Sequence, residues 1–99
     1  MNKMYLNTLG LAYRANKCLD GEELVIQSIQ SKQAQLIILA SDIGSRSKKT
    51  IKDKCNFYKV PYVFAEDRDT LGHAIGKTGR VALSIIDKGF AENLKSYFT

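Results

Sequence analysis

The sequence predicts a three-layer α/β/α sandwich around a small mixed sheet, and three observations carry that expectation. The apolar run Leu36-Ile37-Ile38-Leu39-Ala40 is short, continuous and rich in isoleucine, as in a strand covered on both faces. Around it, apolar blocks alternate with amphipathic stretches in the order βαβαβ. The segments between them are only a few residues long, which fits one compact domain over residues 1–99. No internal repeat, low-complexity stretch or interdomain linker interrupts the chain.

A first helix is expected from Asn2 to about Ala15, with Met4, Leu6, Leu9, Leu11, Ala12 and Ala15 on a broad apolar face that Gly10 weakens. Lys17 to Asp20 reads as a short extended segment that Gly21 breaks. Glu22 and Glu23 open a second helix, where their charges suit the positive end of the helix dipole. It runs to about Ser31, with Leu24, Val25, Ile26 and Ile29 at its apolar positions and Gln27, Gln30 and Lys32 exposed. After the Leu36–Ala40 strand, Asp42 or Ser45 is placed to cap a third helix that reaches Tyr58 and turns Ile51, Cys55 and Tyr58 inward. Pro61 suits the first residue of a strand, so Val60 to Phe64 is the next one. Asp67 or Asp69 starts a short helix that reaches Ala74 and ends at Gly76, a C-cap. Lys77-Thr78-Gly79-Arg80 is then a basic loop before a last strand, Val81 to Ile86, and a terminal helix from Gly89 to Tyr97.

Composition narrows the function. The net charge is +5, which favours polyanionic partners. Arg46, Lys48, Lys49, Lys52 and Lys54 make the third helix the most basic segment, read as a solvated face. Cys18 and Cys55 lie far apart without Cys-x-x-Cys spacing and read as reduced, packed thiols. With one histidine in the chain, a His-rich metal site cannot form. No apolar stretch approaches the roughly 20 residues that span a bilayer, and the expected compartment is the cytoplasm.

A catalytic constellation does not emerge. His73 has no serine or cysteine partner in a recognisable motif, and Glu22 and Glu23 point in different directions on a helix. Gly72-x-x-x-Gly76-Lys77-Thr78 lacks the four intervening residues of a phosphate-binding loop and reads as helix. Nucleic-acid docking finds better material. A helix N-terminus offers N–H donors at Gly21, Glu22 and Glu23, and the Gln27 side chain adds a base-edge contact. Lys17, Lys32, Lys77 and Arg80 are placed to hold phosphates, with Arg14 on the adjoining edge of the first helix. Thr78, Gly79, Arg80 and Val81 form a loop able to cover splayed bases.

At these residues the chain resembles the kink-turn RNA-binding family of archaeal and eukaryotic large-subunit ribosomal proteins. The resemblance runs from about Leu9 to Leu94. It rests on Lys17-Cys18-Leu19-Asp20-Gly21-Glu22-Glu23-Leu24-Val25, on Gln35 to Asp42, on Lys54 to Tyr62, and on Leu71-Gly72-His73-Ala74-Ile75-Gly76-Lys77. It implies an α/β/α sandwich that grips a sharply bent RNA helix. The expected protein is a non-enzymatic monomer without a cofactor that binds structured RNA of the ribosomal kind. The second helix would enter the groove beside tandem sheared G·A pairs, and the loop before the last strand would cover unpaired bases. The family motif at the helix is Gly-x-Asn-Glu-x-x-Lys. Gly21 matches its glycine, whereas Glu23, Leu24 and Gln27 stand where asparagine, glutamate and lysine are usual. Glutamate cannot donate to guanine O6, leucine offers no hydrogen bond, and glutamine lacks the lysine charge. Weakened or altered kink-turn binding is therefore expected. The alternative is a protein-interaction module on the same fold, which Glu22-Glu23-Leu24 would suit if the leucine is exposed.

Overall fold

A computed structural model describes residues 3–98. The expected helix start at Asn2 lies outside them. Five helices and four strands alternate among the described residues: α1 (Tyr5–Arg14), β1 (Cys18–Asp20), α2 (Glu22–Gln30), β2 (Leu36–Leu39), α3 (Ser45–Tyr58), β3 (Tyr62–Phe64), α4 (Arg68–Ala74), β4 (Ala82–Ile85) and α5 (Lys88–Lys95). The strand order is β1-β4-β2-β3. β2 and β3 run parallel, while β4 is antiparallel to both β1 and β2, so the sheet is mixed as expected.

All four residues of β2 are buried, and their alternation builds two cores. Leu36 and Ile38 join Tyr5, Leu9, Leu71, Leu83, Ile85 and Leu94 on one face of the sheet. Ile37 and Leu39 join Val25, Ile29, Ile51 and Cys55 on the other. The layers are thus α1, α4 and α5 below the sheet, and α2 and α3 above it. Both cysteines are free and buried. Burial pushes the Cys18 thiol up to about 12 and the Cys55 thiol up to about 11, so both are protonated packing groups.

Several boundaries and faces differ from the sequence reading. Met4 and Leu11, expected on the apolar face of α1, are 61% and 53% exposed; the buried stripe is Tyr5, Leu9, Gly10 and Ala12. Tyr5 belongs there because its hydroxyl accepts the Glu66 N–H at 3.2 Å while its ring packs edge-on against Phe98. Neither Asp42 nor Ser45 caps α3, whose N-cap is Gly44 with no side-chain hydrogen bond. Asp42 instead accepts the Arg68 N–H at 2.9 Å and pairs with the Arg68 Nε at 3.3 Å, which fixes the start of α4. Pro61 stands just before β3 rather than in it, where its carbonyl accepts the Ile37 N–H. The last strand and the terminal helix are each shorter than expected.

Asp67 caps α4, accepting the Thr70 N–H at 2.8 Å. That hydrogen bond holds its carboxyl below the usual carboxylate range. A depressed folded value stabilises the fold above the ordinary pKa, and that contribution disappears as pH falls through the folded value. Asp67→Ala is therefore expected to lower the thermal midpoint at neutral pH, with the gap to wild type closing as pH falls through the folded value. Thermal denaturation along a falling pH series checks this, and a gap that stays constant throughout would contradict it.

Candidate nucleic-acid interface

Strand pairing brings the two ends of the proposed site together. Asp20 pairs with Leu83 and Leu39 with Ala82, and the Ala40 N–H donates to the Val81 carbonyl at 2.9 Å. Gly21 and the Gly76–Val81 loop therefore leave the sheet at the same end.

Gly21 is the N-cap of α2, with φ +96° and ψ 138°. Side chains rarely adopt that backbone region, so the glycine is there for conformation. A Cβ at this position would meet nothing within 4 Å, which leaves the surface beside the helix tip open. No side chain caps the helix, so its first N–H groups face outward with the positive end of the dipole. Glu22, Glu23 and Leu24 are all exposed, Leu24 at 48% despite its expected place on the apolar face. The inward position falls instead to Ser28. It is buried, donates to the Val25 carbonyl at 2.7 Å, and shares a hydrogen bond with the Ser84 hydroxyl at 2.7 Å. This polar pair fixes α2 over β4, and nothing in the helical pattern announced it.

The loop is held by Arg80. Its Nε donates to Asp20 Oδ2 at 2.7 Å, and its Nη1 donates to the Thr78 and Gly79 carbonyls at 3.1 and 3.0 Å. Both side chains of the pair are mostly covered. Arg80, expected to hold phosphate, instead clamps the loop to the residue before Gly21. Asp20 was missed because sixty positions separate it from Arg80 and only the β1–β4 pairing makes them neighbours. Val81 is half-buried against both cores, so only part of it can cover a base. Thr78 and Gly79 are exposed, and the Thr78 carbonyl lies over Gly72, where a Cβ would stand 2.2 Å away.

Lys77 is exposed, and its Nζ sits 5.9 Å from the centre of the Tyr13 ring. Arg14 is exposed one residue further along α1 and lines a groove with Gly10, His73 and Lys77. Tyr13 also borders a recess of about 230 Å³ beside the tip of α2, with Cys18, Leu19, Asp20 and Leu24. Tyr13 thus joins the loop side to the helix side, a role its half-apolar helix position did not reveal. Gln27 is exposed on α2.

Two expected cations stand elsewhere. Lys17 precedes β1, and its carbonyl accepts from Ile86 at the opposite end of the sheet. Lys32 follows the far end of α2, about 16 Å along the axis from Gly21. The structure brings Arg14, Gly21, Glu22, Glu23, Lys77, Thr78, Gly79, Arg80 and Val81 to one region and leaves Lys17 and Lys32 outside it. His73 is exposed and lines a groove with Leu6, Asn7, Gly10, Arg14 and Thr70, in which neither Asp67 nor Asp69 takes part. No cluster of three potential metal ligands occurs among the described residues.

The strand order, the two-sided core and the clamped helix-and-loop end define a small three-layer domain of ribosomal-protein type. The chain belongs to the ribosomal protein L7Ae/L30e/S12e/Gadd45 family, whose sequence profile matches residues 4–95, and it is a YlxQ-type member of it. A Bacillus subtilis strain 168 protein named RNA-binding protein YlxQ is 49% identical over 88 residues, covering 89% of this chain and 88% of that one. The large ribosomal subunit protein eL8 of Thermoplasma volcanium is 30% identical over 90 residues, covering 90% of this chain and 74% of that one. A solved protein of unknown function from Bacillus halodurans C superposes with a TM-score of 0.92 at 42% identity, covering 96% of each chain.

Proposed function

We propose that residues 1–99 act as one non-enzymatic, monomeric domain that binds structured, kink-turn-like RNA in the cytoplasm, in association with the ribosome or translation. The observation that carries this reading is the Arg80–Asp20 clamp, which joins the open tip of α2 and the basic loop into one face. Family membership supports it: one relative bears the name RNA-binding protein and another is a ribosomal protein. No helix among the described residues is long and apolar enough to cross a membrane.

In this reading the N–H groups at the tip of α2 and the Gln27 side chain meet base edges. Lys77 and Arg14 meet phosphate, and the exposed Thr78–Gly79 segment covers unpaired bases. The acids Glu22 and Glu23 repel the backbone and reduce affinity without closing the face. A second reading, a protein-docking face, draws on the exposure of Leu24 between acids and open surface. Calorimetric titration against a standard kink-turn at low salt separates the two. Binding that weakens as salt rises supports the RNA face, and no binding at low salt, by calorimetry and by gel shift, rejects it.

A further inference from the structure

The positive charge of this chain is not where its RNA face is. The five cations of α3 and Lys59 stand against one acid, Asp53, between residues 45 and 59. The rest of the chain holds nine cations and nine acids, so this single segment accounts for the whole net charge of +5. Its one ion pair among the described residues is Lys49 with Asp53 at 2.9 Å.

Beside this helix lies β3, the edge strand of the sheet. Tyr62 and Phe64 are two residues apart and so project to the same face, where Tyr62 packs on the α2–α3 core. Their rings stand edge-on with centroids 6.0 Å apart, and Phe64 is 41% exposed. The Lys48 Nζ sits 5.9 Å from the centre of the Phe64 ring. Lys52 follows Lys48 by one turn on the same side of α3.

We propose that the β3 edge and the adjoining side of α3 form a second RNA-contact surface, which stacks unpaired nucleotides on Phe64 and Tyr62 and holds their phosphates with Lys48 and Lys52. Aromatic faces accept any base, and flanking cations track the backbone. A base arriving over Phe64 displaces the Lys48 ammonium outward, toward the adjacent phosphate. An acidic polypeptide would engage the cations but leave the rings unused, so the pairing of rings with charge favours a single-stranded nucleic acid. The surface lies three strands, about 14 Å, from β1, and shares no residue with the face at Gly21. It extends the reading of the chain as an RNA-binding protein from one face to two.

The test is fluorescence anisotropy with a labelled oligouridine of about twelve nucleotides, a length typical of such sites. Lys48→Ala with Lys52→Ala is expected to weaken binding about tenfold and to lower the salt slope by about 1.4. Phe64→Leu, which keeps an apolar side chain at an exposed position, is expected to weaken binding about tenfold with the slope unchanged. Lys88→Ala, at the exposed start of α5 on the other face of the sheet, is expected to bind the oligomer as wild type does. Absence of oligouridine binding overturns the proposal. So does a Phe64→Leu variant that binds as wild type, or equal competition by polyglutamate, since either makes the surface merely cationic. A kink-turn without single-stranded extensions reports separately on the Gly21 face: the double lysine variant is expected to bind it as wild type does, and failure of wild type to bind it would sink only that first reading.

Discussion

Replacing Gly72 with alanine is expected to lower stability by roughly 2–3 kcal/mol, in the upper part of the range for overpacking a tight site. In a domain of this size that corresponds to a fall of about 10–20 °C in the thermal midpoint. The added Cβ would stand 2.2 Å from the Thr78 carbonyl oxygen and 2.6 Å from its carbon. Both are backbone atoms, so no side chain can swing away to make room. The loop itself has to move, and with it the Thr78 and Gly79 carbonyls that Arg80 uses. Affinity for RNA is therefore expected to fall together with stability. Gly44→Ser is the matched control: φ is −64°, the added Cβ meets nothing within 4 Å, and serine is a favoured N-cap. Thermal denaturation of the two variants checks the contrast. A Gly72→Ala protein as stable as wild type would show that the loop does not rest on α4 as described.

The second large effect concerns the clamp. Arg80→Ala removes three hydrogen bonds and leaves the mostly covered Asp20 carboxylate without its cation. The expected cost is about 1–3 kcal/mol, the range for a hydrogen bond to a charged group whose partner is left behind. RNA affinity is expected to fall because the loop loosens, while the salt slope stays near that of wild type, since Arg80 is occupied by Asp20. Lys77→Ala is expected to do the reverse, leaving stability nearly unchanged and lowering the slope by about 0.9 for one phosphate contact. A double-mutant cycle with Asp20→Ala measures the coupling. If Arg80→Ala lowers the slope as much as Lys77→Ala does, Arg80 leaves Asp20 to meet phosphate, and the clamp is not maintained in the complex.

Much of the fold was legible because β2 has a short, isoleucine-rich aliphatic run with no polar break, which suits a strand covered on both faces. The helices on either side followed from spacing and, for α4, from two candidate starts, Asp67 and Asp69, of which Asp67 makes the cap and Asp69 lies in the first turn. The errors share one physical origin. At Met4, Leu11 and Leu24 an apolar residue type was read as an inward direction, yet each helix presents a narrower stripe to the sheet than its apolar content allows. Tyr5 and Ser28 are inward because partners distant in sequence, Glu66 and Ser84, satisfy their hydroxyls. The same non-local pairing decides the site. Gly21 and the basic loop could be named from composition and turn chemistry. That Arg80 is tied down, that Tyr13 bridges the two parts, and that Lys17 and Lys32 lie elsewhere all depend on strand register and helix direction. The basic run of α3 acquires its aromatic neighbour only through the tertiary fold, because β3 is the edge strand and sets Phe64 beside Lys48.

Titrating the isotope-labelled chain with a standard kink-turn lacking single-stranded extensions, followed by amide NMR shifts, goes most directly to the joint docking face. The largest shifts are expected at residues 20–24 and 76–81 in the same complex, moving together along the titration. Shifts confined to only one of these segments, or centred on α3 with both segments unmoved, would contradict a single face built from the α2 tip and its clamped loop.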